Sequence, residues 1–217
     1  MDSNTCVVVD YGLGNVFSVM RAIEKIGAKA TLTADPGKIA KADRVILPGV
    51  GAFGRAADRL RERGLEEPIL EFTRTGRPFL GICVGMQLLM EIGTEFGEHR
   101  GFGLIGGGVH RMELAEEDGS RLRIPLIGWH PIHPPEGAPR SSWKGTLLES
   151  FEAENAFYFV HSFAANLTEG SDALAVARHG ENEVIAAVCR DNVTGVQFHP
   201  ERSSNQGLRF LKRFIEQ

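Results

Sequence analysis

Cys83, His199 and Glu201 can together carry out nucleophilic attack on a carbonyl, and each stands in a stretch whose neighbours suit that task. The first stretch is Gly81-Ile82-Cys83-Val84-Gly85. Residues 78–82 form a short apolar run fit for a buried strand. From Val84 onward Met86, Leu89 and Met90 recur at three- and four-residue spacing, as on one face of a helix. Cys83 therefore falls at a strand-to-helix junction between two glycines, the pattern of a nucleophile elbow. A thiol at a helix N-terminus feels the positive end of the dipole and free N–H groups, which favour the thiolate. The Val84 amide would face an oxyanion forming on an attacked carbonyl. A cysteine between strand and helix is also a common packing residue, so the chemistry needs a base elsewhere in the chain.

Gly195-Val196-Gln197-Phe198-His199-Pro200-Glu201 supplies one. In an extended segment residues i and i+2 face the same side, which predicts that His199 and Glu201 project together with a proline stiffening the link. A carboxylate beside an imidazole fixes its tautomer and stabilises its cation, while the other ring nitrogen takes the nucleophile's proton. A surface His-Pro-Glu turn would do neither. With Cys83 the set reads Cys-His-Glu.

Gly49-Val50-Gly51-Ala52-Phe53-Gly54 matches G-x-G-x-x-G between a strand and a helix. As a dinucleotide fingerprint it follows a late strand and lacks an acidic residue at the end of the next one. A glycine-rich strand end beside the elbow is equally suited to offering backbone N–H groups to an oxyanion. No P-loop is present. His130 and His133 lie among prolines without helical spacing, so no metal site is expected. His99, His110 and His179 are expected to be solvated, as is the acidic segment 113–118.

The elements that must position these residues follow a β-α-β-α rhythm. Strands are expected at 5–9, 28–32 and 43–47, and helices at 16–26, from Asp35-Pro36, at 53–63 and at 66–73. After Gly97 glycines punctuate short apolar runs, and the proline-rich stretch 130–145 reads as an irregular loop. Strands are expected at 157–163, 173–177, 184–189 and 195–198, then a helix at 207–215. This predicts one α/β domain over residues 1–217, three-layered, with a mostly parallel central sheet and an antiparallel-rich second half. A net charge of −4 in 217 residues gives no electrostatic case for nucleic acid or a membrane surface. No apolar run reaches the length of a membrane span, and the first five residues lack a basic start and apolar segment, so the expected location is cytoplasmic. Three cysteines without a C-x-x-C argue against a disulfide framework or zinc ribbon, and Cys6 and Cys189, in apolar strand runs, should be inert.

Taken together, Gly81 to Gln87, Pro48-Gly49-Val50-Gly51 and His199-Pro200-Glu201 resemble the class I, triad-type glutamine amidotransferases, whose fold is flavodoxin-like. Asp10-Tyr11-Gly12-Leu13-Gly14-Asn15, Tyr158-Phe159-Val160-His161-Ser162-Phe163 and residues 195–204 are similar to the glutaminase subunits of imidazole glycerol phosphate synthases, and this match covers essentially the whole chain. The resemblance implies that Cys83 attacks the side-chain amide of L-glutamine, with His199 as base then acid and Glu201 orienting it. It implies an oxyanion hole from Val50, Gly51 and Val84, and glutamine held by Gly49, Gln87, His161, Ser162 and Phe163. It also implies no cofactor and no metal. The partner would be a (β/α)₈ cyclase subunit, joined as a heterodimer through Asn15, Trp129, Tyr158 and Arg202 and using the ammonia in histidine biosynthesis. A paralogue feeding another synthase, such as one aminating a sugar for surface polysaccharide, is the alternative. The chain departs from the family at Leu126, Ile127, His130, Phe163 and Arg202, and its loop at 130–156 is longer; these positions bear on which partner is used, and the triad is untouched.

Overall fold

The computed structural model describes residues 5–113, 122–152 and 155–217. Five short strands pair in parallel at its centre: β1 (Cys6–Val9), β2 (Ala30–Thr33), β3 (Arg44–Gly49), β4 (Phe79–Cys83) and, from far along the chain, β13 (Val193–Val196). Every residue of β1, β3, β4 and β13 is buried, so both faces of this sheet are covered and the architecture is three-layered. The helices that cover it are α1 (Val16–Lys25), α2 (Pro36–Lys41), α3 (Phe53–Glu62), α4 (Glu66–Thr73), the single turn α5 (Val84–Gln87) and α6 (Ser204–Ile215). Local chemistry sets several of their ends. Asp35 caps α2 through Gly37 and Lys38 N–H, with Pro36 at the first helical position. The apolar stripe of α1 buries Val16, Val19, Ala22 and Ile23.

The sheet order is β2-β1-β3-β4-β13, then antiparallel through β12 (Asn182–Arg190), β11 (Ala173–His179), β8 (Leu126–His133) and β9 (Ala156–His161). The parallel part has the doubly wound flavodoxin-like order, which places the carboxyl ends of neighbouring strands along one edge, where such sheets bind ligands. The register sets Gly49 opposite Cys83, and Phe198-His199 emerges from β13 on the other side of β4.

The structure departs from sequence expectation in four places. The helix after Cys83 stops at Gln87, because the Leu88 and Leu89 carbonyls accept hydrogen bonds from Phe102, Leu104 and Ile105 N–H. Phe102, Leu104 and Ile105 lie in the loop between two strands of a second, four-stranded sheet that the glycine-punctuated sequence hid: β5 (Ile92–Gly93), β6 (His99–Arg100), β7 (Gly107–Arg111) and β10 (Phe163–Leu167). The expected strand at 157–163 is two strands, β9 and β10, in different sheets, with the break at Ser162. The stretch expected as a loop from His130 begins as strand: Pro131 sits opposite Ala156 in the β8–β9 ladder. Farther on, Trp143 is fully buried, its indole N–H donating to the Leu174 carbonyl at 2.6 Å. The expected acidic segment 113–118 lies, apart from Glu113, outside the described residues, as do the first four residues. Among the described residues, no helix is long and apolar enough to cross a membrane.

Candidate active site

Cys83 occupies φ 55, ψ −110, a conformation that L-residues rarely adopt, at the junction of β4 and α5. Such strain persists only where the surroundings over-determine it. Here glycines do so by close approach. A Cβ on Gly85 would lie 1.9 Å from the Leu47 carbonyl oxygen, and one on Gly81 would lie 2.5 Å from the Gly85 oxygen. Only glycine lets the turn pack this tightly between β3 and β4, and the turn lifts the thiol to the sheet edge.

His199 interacts with Cys83, and its Nδ1–H donates to Glu201 Oε1 at 2.9 Å. The two side chains are almost wholly buried. Their approach does not come from an extended segment, as the sequence suggested. Pro200–Arg202 forms a 3-10 turn that folds Glu201 back beneath the ring. Backbone bonds stitch that turn to β9: His199 N–H donates to the Tyr158 carbonyl at 2.9 Å, and Ser203 Oγ bridges from Tyr158 N–H to the His199 carbonyl. Burial disfavours the imidazolium, but the hydrogen bonds and charges of Cys83 and Glu201 outweigh it and hold the His199 pKa up, at about 10. The surroundings of His199 therefore favour the protonated ring. The other two thiols are chemically quiet: burial pushes Cys6 up to about 12 and raises Cys189.

Cys83 and His199 open onto a cleft of about 760 Å³ lined in part by Val50, Gly51, Val84 and Gln87, with Glu201 buried behind His199. The profile of the family described as Glutamine amidotransferase class-I matches residues 7–217. The chain belongs to the class I glutamine amidotransferases. It is 43% identical over 209 residues, 96% of this chain and 98% of the other, to the imidazole glycerol phosphate synthase subunit HisH of Syntrophotalea carbinolica. It is 42% identical to the subunit of the same name from Wolinella succinogenes, again over 96% and 98% of the two chains. Among solved structures it superposes on PurLQS from Thermotoga maritima with a TM-score of 0.70, at 20% identity, over 99% of this chain and 98% of that one. A crystal structure described as glutamine amidotransferase gives the same TM-score and identity over 97% of each chain. At that identity the structural likeness speaks for the fold.

Within this amidotransferase, the Gly49–Gly54 stretch serves the elbow and its surroundings. Gly49 lies beneath the cleft, where a Cβ would meet Gly85 N, the Tyr11 hydroxyl and Val84 Cβ at 2.8 Å, so close packing explains that glycine. Gly51, at φ +91, and Val50 form the cleft wall facing Cys83. Gly54 admits the His99 ring, which a Cβ there would strike at 2.5 Å. His99 is thus packed against α3, and His179, also expected to be free in solvent, bonds the Arg123 carbonyl at 2.9 Å. His130 stacks edge-on to His179 at 6.3 Å. Among the described residues, no three His, Cys, Asp or Glu side chains are grouped as metal ligands.

Two residues that sequence reasoning passed over belong to the site. Gln197, fully buried, donates from Nε2 to Cys83 Sγ at 3.6 Å and accepts from Gln87 Nε2 at 3.0 Å, and Gln87 also donates to the Phe163 carbonyl. Gln87 thereby ties β10, through Gln197, to Cys83. Its position within G-V-Q-F-H-P-E, two residues before His199 on the same strand face, was the available signal for Gln197. Glu95 lines the cleft with one carboxylate oxygen held by Phe53 N–H at 3.0 Å. It sits in a Gly-Thr-Glu-Phe-Gly turn that gives no signal.

His161, Ser162 and Phe163 line the far wall. His161 Nδ1–H donates to the Phe163 carbonyl at 2.8 Å, and its buried Nε2 has no partner. Burial, with smaller contributions from other histidines, pushes its pKa down to about 4. In the unfolded chain an imidazole takes up its proton near pH 6.5, so between these values the unfolded state binds a proton that the folded state refuses. Stability present above about pH 6.5 is then lost as pH falls through about 4, on the order of 3 kcal/mol. Denaturant unfolding at about pH 7 and about pH 4 should show that loss in the native protein and a much smaller one in His161→Gln. Equal losses in both would mean that His161 titrates normally.

Proposed function

We propose that this amidotransferase, a single catalytic domain over residues 1–217, is the glutaminase subunit of a cytoplasmic imidazole glycerol phosphate synthase. It hydrolyses L-glutamine to glutamate and passes ammonia to a (β/α)₈ cyclase in histidine biosynthesis. The observation that carries this reading is the strained Cys83 elbow joined to the buried His199–Glu201 pair at the wall of the cleft. The near full-length likeness to the two HisH subunits supports the choice of pathway.

The Cys83 thiolate attacks the carbonyl carbon of the substrate's side-chain amide. The negative oxygen that forms is stabilised by the Val84 N–H and by the peptide N–H groups of Val50-Gly51. His199 gives its proton to the departing nitrogen, so ammonia leaves and a γ-glutamyl thioester stays on Cys83. His199, now neutral, takes a proton from water, whose oxygen attacks the thioester and releases glutamate. Glu201 keeps the imidazole in register throughout. Gln87 and the backbone of His161, Ser162 and Phe163 bound the substrate, and Glu95 offers a carboxylate to its ammonium group.

Beside the cleft lie the residues proposed to meet the cyclase. Trp129 is half exposed and edge-on to Tyr158 at 6.3 Å, and the Arg202 guanidinium lies 4.2 Å from the Tyr158 ring. Val50, in the cleft wall, is a further exposed apolar residue. Tyr158 is bonded through its backbone to the His199 turn, so a partner seated on Tyr158 presses on the strand that holds the catalytic base.

Hydrolysing glutamine without an acceptor wastes it, and the Val50–Gly51 peptide gives the enzyme a means of restraint. Gly51 tolerates peptide rotation, so an N–H can turn into or away from the oxyanion site. A missing donor lowers the rate by about two to three powers of ten. Glutamine hydrolysis by the purified chain should rise by about that factor when its cyclase, loaded with nucleotide ligand, is added. Identical rates with and without the cyclase would contradict the gate, and failure of any cyclase to bind would contradict the proposed partner.

A further inference from the structure

We infer that Asn15, at the end of the glycine-rich turn Asp10-Tyr11-Gly12-Leu13-Gly14-Asn15, is a positioning residue for the catalytic carboxylate. This deepens the triad reading above and rests on it. The sequence resemblance placed Asn15 at the partner interface, and its position in the fold suggests a third duty, as the N-cap of α1. An asparagine there ordinarily accepts a hydrogen bond from the second or third helical N–H. Asn15 does not: its backbone carbonyl takes the Val19 N–H, but its side chain makes no cap bond. Its Nδ2 instead donates to Glu201 Oε1 at 3.2 Å, across 186 residues of chain. The same oxygen accepts the His199 Nδ1–H at 2.9 Å, so Asn15 and His199 donate to one oxygen of one carboxylate.

That sharing has a mechanical consequence. Glu201 Oε2 is buried without a hydrogen-bond partner, so the carboxylate's orientation is set entirely from Oε1. One bond, to His199, would leave the group free to swing about it. A second donor from another element, arriving from α1, fixes the carboxylate plane and thereby the imidazole. Gly14 makes the approach possible: it holds φ +121, and a Cβ there would press on the Pro48 carbonyl at 3.3 Å. The turn thus brings α1 up against β3 with Asn15 facing the triad. Asn15 also lines the cleft together with His199 and Arg202.

The test is steady-state glutaminase kinetics of the chain in complex with its cyclase, on Asn15→Ala, Asn15→Asp, Glu201→Ala and the double variant Asn15→Ala/Glu201→Ala. Both single Asn15 variants should lose about tenfold in kcat with KM for glutamine little changed, as expected of a group acting on the reacting machinery and not on ground-state binding. Asn15 makes no side-chain cap bond that the substitution removes, so the thermal midpoint of Asn15→Ala should hold while its activity falls, which separates positioning from folding. In the double variant the loss should equal that of Glu201→Ala alone, because Asn15 then has nothing to position. The cyclase concentration for half-maximal activation should be unchanged. Wild-type kcat in Asn15→Asp, or losses that multiply in the double variant, would overturn the inference. A weakened cyclase affinity with kcat intact at saturation would return Asn15 to the interface alone. Should Glu201→Ala itself leave turnover intact, the triad reading fails, and this inference with it.

Discussion

Cys83→Ala should abolish glutamine-dependent turnover, a fall of about six powers of ten, to the floor of any practical assay. The thiol is the only group at the elbow able to form the acyl intermediate, and the remaining oxyanion donors cannot attack. Synthesis from added ammonium by the complex should continue at its normal rate, because that chemistry belongs to the cyclase. The fold should survive: alanine keeps the Cβ that the backbone already accommodates at φ 55, and the packing lost is that of one sulfur atom. A glutamine-mimicking electrophile should label Cys83 and spare Cys6 and Cys189, whose thiols burial keeps protonated. Glutamine turnover near the native rate in Cys83→Ala would refute the assignment.

Glu201→Gln should reduce kcat by about four powers of ten without erasing it, less than loss of the nucleophile. The amide can occupy the carboxylate's place, but it does not stabilise the imidazolium and can present a donor where His199 Nδ1–H needs an acceptor. The sign of the accompanying pH change is fixed. Glu201 helps hold the His199 pKa up at about 10, so removing its charge must lower that value. The alkaline limb of kcat/KM should move to lower pH in Glu201→Gln, since the imidazolium is then lost earlier. A loss equal to that of Cys83→Ala would give the carboxylate a direct part in the chemistry. An unmoved alkaline limb would mean that Glu201 does not govern the histidine.

The parts of the site that were legible in the sequence are those where a backbone constraint and a chemical group coincide. Gly81-Ile82-Cys83-Val84-Gly85 could be read because its glycines are forced by contacts of 1.9 and 2.5 Å that no side chain survives. The parallel strands could be read because burial on both faces demands continuous apolar runs. His199 and Glu201 were paired correctly for an incomplete reason: period-two geometry suggested the pairing, and a 3-10 turn achieves it. What stayed hidden depended on residues far apart in the chain. The two-residue strand β5 and its partner β6 carry too few side chains for any periodicity, and their pairing is set by the loop that takes the Leu88 and Leu89 carbonyls. Gln197 and Asn15 are polar residues in unremarkable spots until Cys83 and Glu201 are brought against them over separations of 114 and 186 residues.

The central claim, that Cys83 carries the glutamyl group during turnover, can be measured directly. The complex is mixed with isotopically labelled glutamine, quenched in acid during steady state, digested, and its cysteine-containing peptides are weighed by mass spectrometry. The peptide holding Cys83 should carry a base-labile γ-glutamyl group, absent from the peptides holding Cys6 and Cys189 and absent when glutamate replaces glutamine. In Glu201→Gln the adduct should still form on Cys83, at a rate reduced in step with kcat. Turnover with no label on Cys83 under quench conditions that preserve a control thioester, or with label on another residue, would contradict the account.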